Sequence, residues 1–329
     1  MGDPNNPFEA LHANLENDLF EIDLNCFSPV YRQLIGIASN YIEDPKKIID
    51  LVPRTGISTY LLQRRFPDAD IFTIEPNQRS AKVLRHKLGM EKLDMGKIIE
   101  RGALTLEQAE KLQDYWDSEV SKINSDKIHV MADDLQTSEE YIFENSDFIL
   151  HPSASHWTYR SGGEEGLKLS FELVHNYLKP GGILAFNSFM DFCEPTDPNS
   201  KNFVNHPLVN ELRQNVITAI ADQGYEVASI PTQPMNTTKY KAILEDAGLK
   251  LIRGGDIKMP YDMIKFIDGV YKARFFHEGL LDSLPFSQAE KDAFLEDVMD
   301  ETLEYYVPDP IHAEYAFSVN PAFIARKVA

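Results

Sequence analysis

The stretch Lys47-Ile-Ile-Asp-Leu-Val-Pro-Arg-Thr-Gly-Ile-Ser-Thr-Tyr60 decides how this chain is read. Residues 48–51 form a short apolar run of strand type, 52–56 a tight connection, and 58–66 a helix. A strand, a loop and a helix in that order build a site for a nucleotide-like cofactor. About twenty residues further on, Ile71-Phe-Thr-Ile-Glu75 is a second apolar strand ending in a carboxylate, and an acid at that offset accepts the two ribose hydroxyls. The loop itself is unusual. Such loops carry several glycines so that backbone meets ligand with no Cβ between them, yet Val52, Pro53 and Arg54 stand here and only Gly56 remains.

Outward from this stretch, strands and helices alternate. After the strand at 71–74 come a helix over 78–88, a long charged helical stretch over 95–123, and strands at 127–131 and 147–150. A helix over 167–177 ends at Lys179-Pro-Gly-Gly182, where glycine supplies the positive φ that follows a helix, and a strand covers 183–186. Short apolar runs separated by helices predict a parallel sheet covered on both faces. Beyond it lie helices over 207–224 and 237–247, a strand at 249–252, and an aromatic, acidic helical region over 261–306. Residues 315–327 alternate like a terminal hairpin or edge strand, and 8–42 read as two helices stopped by Asp44-Pro45. With neither an internal repeat nor a low-complexity linker, one core with helical insertions is expected.

Composition narrows the partners. The chain has 329 residues, 43% hydrophobic and 26% charged, with a net charge of −20. So acidic a surface repels phosphate backbones and anionic lipid headgroups, which disfavours nucleic acid and membrane and leaves a small molecule as the expected partner. Cys26 and Cys193 fit no metal or redox spacing. No apolar run reaches the ~18 residues of a membrane span, and Met1-Gly-Asp-Pro-Asn-Asn-Pro7 lacks a signal pattern, so a cytoplasmic protein is expected.

Five pieces, in order, resemble the class I S-adenosylmethionine-dependent methyltransferase superfamily, small-molecule type. Asp50-Leu51 with Thr55-Gly56 matches the ends of that family's first loop, Asp-Leu-Gly-x-Gly-Thr-Gly. Glu75 matches its ribose acid. Ala132-Asp133-Asp134 matches the position that meets the adenine amine. His151-Pro-Ser-Ala-Ser-His-Trp157 resembles the loop past the sulfonium, and Leu178-Lys-Pro-Gly-Gly182 the turn before the fifth strand. The resemblance implies an α/β fold, a Rossmann-like methyltransferase sheet that is mostly parallel with its last strand antiparallel. It also implies an N-terminal helical lid over 1–45 and a core over 46–329, with helical insertions near 95–125, 191–235 and 261–312.

The same resemblance implies S-adenosylmethionine as cofactor, held by Asp50, Val52, Arg54, Thr55, Gly56, Glu75, Asp133, Asp134 and Ser153, with either aspartate of the pair at adenine. His151 and His156 are the candidate general bases, since imidazole titrates in the useful range, and Tyr31 is the lid residue facing the cofactor. No metal is expected, and a homodimer is compatible with the resemblance. Val52 and Arg54 replace two loop glycines, which leaves three outcomes open: methyl transfer to a small molecule of secondary metabolism; cyclisation of S-adenosylmethionine itself, as in azetidine-2-carboxylate synthases; or a non-catalytic binding or scaffold protein. A Rossmann dehydrogenase is disfavoured, because Gly-x-Gly-x-x-Gly is absent.

Overall fold

The computed structural model describes residues 28–92, 106–131, 143–152, 155–188, 196, 207–226, 235–262, 281, 284–305 and 315–328. Among them, seven strands make one sheet: β1 (Lys47–Leu51), β2 (Asp70–Ile74), β3 (Ile128–Met131), β4 (Ser146–His151), β5 (Leu178–Asn187), β6 (Leu249–Asp262) and β7 (Tyr315–Lys327). Their order is β3-β2-β1-β4-β5-β7-β6. Strands β1 to β5 pair in parallel, while β7 runs antiparallel to β5, with Ile183 opposite Arg326 and Phe186 opposite Phe323. This is the mostly parallel Rossmann-like sheet, with its last strand antiparallel, that the resemblance implied.

Burial on both faces explains why the central strands are short and continuously apolar. Ile49, Leu51, Ile149, Leu184, Phe186, Phe323 and Ala325 belong to one core cluster. It includes Phe171 and Val174 of α5 (Ser155–Tyr177) and Tyr240 and Leu244 of α7 (Thr237–Asp246). Helix α1 (Ser28–Ala38) buries Val30, Tyr31, Leu34, Ile35 and Ala38, a three- and four-residue spacing that makes one apolar face. That face packs on α2 (Ile57–Arg65) and on β5. Helix α3 (Gln78–Lys87) follows β2, and α4 (Leu106–Val120) packs against α3.

The chain divides into two compact units, one holding β1 to β5, the larger parts of β6 and β7 and these helices, the other including the described residues of 207–226 and 284–305. Within the second unit, α6 (Pro207–Asp222) and α8 (Gln288–Tyr305) pack together. Leu212, Val216 and Ile220 are buried at four-residue spacing, and Asn215 Nδ2 donates to Thr302 Oγ1 at 2.9 Å. Among the described residues no helix is long and apolar enough to cross a membrane.

Three expectations about elements are corrected. The segment 315–327 is no edge strand; it lies between β5 and β6, with Phe323, Ile324 and Ala325 all buried. Tyr261 opens no helix but belongs to β6, which runs on to Asp262. Helix α5 starts at Ser155 rather than 167, broken at Gly163, whose φ of 62° and ψ of −156° are non-helical. The lid expected over 1–45 is described only from residue 28, and the insertions near 95–125, 191–235 and 261–312 only in part.

Candidate functional site

The loop after β1 has a backbone that its side chains conceal. Val52, Arg54 and Gly56 have φ of 55°, 58° and 92°, alternate residues in the left-handed region. They stand where the loop of the resembled family carries glycine, the residue that adopts such φ freely, and two of the three are not glycine here. A β-branched residue at positive φ is an outlier that costs on the order of 1–2 kcal/mol, and it persists only where surroundings enforce it. Here the Val52 N–H donates to Ile74 O at 2.9 Å, the Arg54 N–H to Glu75 Oε2 at 2.7 Å and the Gly56 N–H to Pro53 O at 3.0 Å. At position 56 the glycine is required, since a Cβ there would lie 2.7 Å from Leu84 Cγ.

Two buried carboxyls flank the loop. Asp50 is fully buried, and its Oδ2 accepts from the hydroxyls of Ser58 and Thr59, each at 2.7 Å, tying β1 to the first turn of α2. Its Oδ1 has no partner among the described residues. Burial pushes the Asp50 carboxyl up to about 7 despite those two hydroxyls. Glu75 is 3% exposed and accepts the Arg54 N–H on Oε2 and the Asn77 N–H on Oε1, the latter at 2.9 Å. Burial lifts it to about 7, with the Asn77 and Arg54 N–H groups pulling the other way. Each carboxylate oxygen keeps a second lone pair, so Glu75 can still accept two hydroxyls.

His151 closes β4, on the strand next to β1. Its register opposite Phe186 sets it on the sheet face of the α5 and α7 core. It is 3% exposed, its Nδ1 has no partner among the described residues, and burial pushes its pKa down to about 4. The ring is therefore neutral at physiological pH and can accept a hydrogen bond or a proton, as a weak base. Just past the end of β5, Ser188 Oγ is buried with no partner among the described residues, and Ser155 Oγ bridges Asn187 O and Tyr240 Oη, both at 3.3 Å.

Of the expected set, Asp50, Val52, Arg54, Thr55, Gly56 and Glu75 are gathered at the ends of β1 and β2. Tyr31 is buried in the packing face of α1. His156 lies in the first turn of α5 rather than in a loop, its side chain outside the described residues. Asp133, Asp134 and Ser153 lie outside the described residues. Among the described residues no group of three or more His, Cys, Asp and Glu is placed to hold a metal ion. An open groove of about 630 Å³ between 39–45 and 65–69 lies at the N-terminal ends of β1 and β2. It is away from the strand ends where open α/β sheets bind ligands.

Sequence reasoning missed Lys87. It is fully buried at the end of α3, its Nζ 3.0 Å from Thr55 Oγ1 and 5.0 Å from the centroid of the Trp116 ring. In sequence it sits in Arg85-His-Lys87, which reads as an ordinary basic helix end. Trp116, on α4, meets Tyr60 edge-on at 5.8 Å, and the Tyr60 hydroxyl donates to Glu119. Burial, then Glu119, pushes that phenol up to about 12.

No family model matches the chain. The 7SK snRNA methylphosphate capping enzyme of Homo sapiens is 30% identical over 98 residues, which span 28% of this chain and 14% of that protein. Among solved structures, the cyclopropane synthase MmaA2 of Mycobacterium tuberculosis is 12% identical, with 93% of this chain and 83% of the other covered at a TM-score of 0.45. The cyclase SpnF is 13% identical, with 91% and 81% covered at a TM-score of 0.46. A phosphoethanolamine N-methyltransferase of Haemonchus contortus, solved with phosphomonomethylethanolamine and S-adenosylhomocysteine, is 12% identical; all of this chain and 61% of that one are covered at 0.44. At such scores the ground for the fold is this chain's own strand order and the antiparallel β7.

Proposed function

We propose, from the premise that the chain carries the class I methyltransferase fold, that it binds S-adenosylmethionine at the C-terminal ends of β1, β2 and β4. On this proposal it transfers a group to a small molecule of secondary metabolism. One observation carries the proposal: residues 52, 54 and 56 keep the positive φ of a glycine loop although two of them are not glycine. A chain that had abandoned the ligand would have no need to hold Val52 and Arg54 in strained backbone.

The residues present fit the molecule. Glu75 has lone pairs for two ribose hydroxyls, the Arg54 guanidinium is a bidentate partner for a carboxylate, and one of Asp133 and Asp134 would accept from the adenine amine. Bound S-adenosylmethionine supplies an electrophilic carbon on a sulfonium that already leaves well. What remains for the chain is alignment of the acceptor and removal of its proton. Neutral His151 is the described base at the adjoining strand end, with His156 a second candidate.

Methyl transfer is the leading form of the proposal. Cyclisation is favoured by a separate observation, the side chains of Val52 and Arg54 where the family leaves room for the methionine arm. In that reaction the amine attacks its own γ-carbon, the carbon–sulfur bond breaks and methylthioadenosine leaves. Incubation of the purified protein with S-adenosylmethionine and no second substrate separates the two. Methyl transfer predicts no nucleoside product above spontaneous breakdown, because the acceptor is missing. Steady release of methylthioadenosine with a small cyclic amino acid would overturn it in favour of cyclisation.

A further inference from the structure

We infer that His151 Nδ1 and Ser188 Oγ together form a subsite for one uncharged hydroxyl of the acceptor, a molecule otherwise apolar. The subsite is read from the fold; that the hydroxyl belongs to the acceptor rests on the function proposed above. Both atoms are buried with no partner among the described residues, and their residues are 3% and 0% exposed. Buried polar atoms are nearly always paired, because an unmade hydrogen bond costs the full loss of hydration. Register brings the two onto one side of the sheet. His151 stands opposite Phe186 on the neighbouring strand, and Ser188 follows Phe186 by two residues. The Ser188 N–H donates to Pro321 O at 2.9 Å, so the pairing with β7 continues through it and its side chain keeps the face of Phe186. With strands about 4.8 Å apart and about 3.3 Å per residue, the two Cα atoms lie roughly 8 Å apart, within reach of one small polar group between their side chains. They also lie at the C-terminal ends of parallel strands, where open α/β sheets take ligands.

The surroundings decide what that group is. Phe186 flanks His151 in register, and the rings of Phe186, Tyr240 and Phe323 lie with centroids 4.8 to 5.3 Å apart. Burial pushes the His151 pKa down to about 4, and no described charged group contributes. Among the described residues, a carboxylate or phosphate would find no cation here and an ammonium no carboxylate. Each would lose its hydration uncompensated. A hydroxyl loses least: it donates to the neutral imidazole nitrogen and accepts from the serine, satisfying both atoms at once. An apolar group satisfies neither, so the pair also rejects a molecule that lacks the hydroxyl. Ser155, four residues after His151, ties the first turn of α5 to Asn187 O and Tyr240 Oη at 3.3 Å, both long for a hydroxyl. The helix breaks at Gly163, where a Cβ would meet nothing within 4 Å. That turn can therefore yield to an entering molecule while the helix beyond it stays packed.

Probes of one size test this on the full chain in the presence of S-adenosylhomocysteine: phenol, benzoate, benzylamine and toluene. Nitrogen NMR of the His151 ring, assigned by its loss in His151→Phe, reads the hydrogen bond, and titration reads affinity. Phenol should bind and move the Nδ1 resonance as an accepted hydrogen bond does, with benzoate and benzylamine at least about tenfold weaker. Ser188→Ala and His151→Phe should each raise the phenol Kd about five- to tenfold and leave that of toluene within about twofold. Ser188→Ala removes a buried hydroxyl with no described partner, so its thermal midpoint should hold or rise. A lowered midpoint would mean that the hydroxyl is already satisfied within the fold, and would overturn the subsite. Charged probes that bind as tightly as phenol, phenol losses no larger than toluene's in the two variants, or an unmoved Nδ1 resonance would overturn it as well. If S-adenosylhomocysteine does not bind while phenol still moves Nδ1, the subsite stands and the proposed function falls. The reverse outcome keeps the function and removes the subsite.

Discussion

Glu75 is buried beside the loop that follows β1. Its offset from the loop pointed to a ribose acid, and the structure adds that it holds the loop through the Arg54 N–H. Burial raises its carboxyl from an ordinary 4.5 to about 7. A carboxyl whose folded pKa lies above its unfolded one stabilises the fold below the unfolded pKa, and that stability is lost as pH rises through the folded pKa. The thermal midpoint of the ligand-free protein should therefore fall between about pH 4.5 and pH 7, and Glu75→Gln should reduce that slope. Asp50, also near 7, supplies the slope that remains. Hydroxyl donors favour the ionised form, so S-adenosylmethionine affinity should rise with pH towards 7 and drop about tenfold in Glu75→Gln, as read by calorimetry. Equal affinity and equal slope in the variant would remove Glu75 from the site. Asp50 was legible as important but not in its contacts, since hydroxyls of α2 eight and nine residues away donate to its Oδ2. Lys87 was illegible altogether: a basic residue at a helix end is expected at the surface, and only tertiary packing turns this one inward.

At the scale of elements, the central strands were readable because burial on both faces writes an unbroken apolar run. Ile48, Ile49 and Leu51 in β1 and Phe148, Ile149 and Leu150 in β4 are all buried. The start of α5 was hidden by Gly162, Gly163 and Gly166, which dilute the helical period and break the helix at Gly163. The loop was half legible: the missing glycines were plain, but the left-handed backbone at Val52 and Arg54 was not, because side-chain identity records a preference and not the forces that override it. That backbone makes an asymmetric prediction. Val52→Gly should leave stability unchanged or raise it by up to about 1 kcal/mol, since relief of left-handed strain offsets glycine's entropy. Gly56→Ala should lower it by about 2 kcal/mol or more, with φ of 92° and Leu84 Cγ 2.7 Å from the new Cβ. Urea unfolding measures both, and a loss at position 52 equal to that at 56 would show the loop to be unstrained at Val52.

For the molecule as a whole, the charge of −20 was the plainest message of the sequence and the strand order the least plain. Self-repulsion at that charge should make the thermal midpoint rise when salt is raised from about 10 mM to about 200 mM, as the Debye length shrinks below the spacing of surface acids. A flat midpoint in calorimetry would mean that the acids are already paired locally. The strand order was hard to see because the apolar run of 322–325 suits an edge or a centre alike, and its place between β5 and β6 is set by pairing far along the chain. That place has a consequence for how the protein is made. Chains leave the ribosome from the N-terminus onward, and β7 is the seventh strand to emerge but the one between the fifth and the sixth. Until it emerges, β5 and β6 have no shared partner, and the Phe186 face that stacks on Phe323 is bare. The nascent chain thus carries an open sheet edge from the completion of β5 at Asn187 until β7 begins to emerge at Tyr315. Shielding of that edge is then needed during synthesis, and a premature stop between β5 and β7 would release a chain with an unpaired central edge, prone to aggregate rather than to work at smaller size.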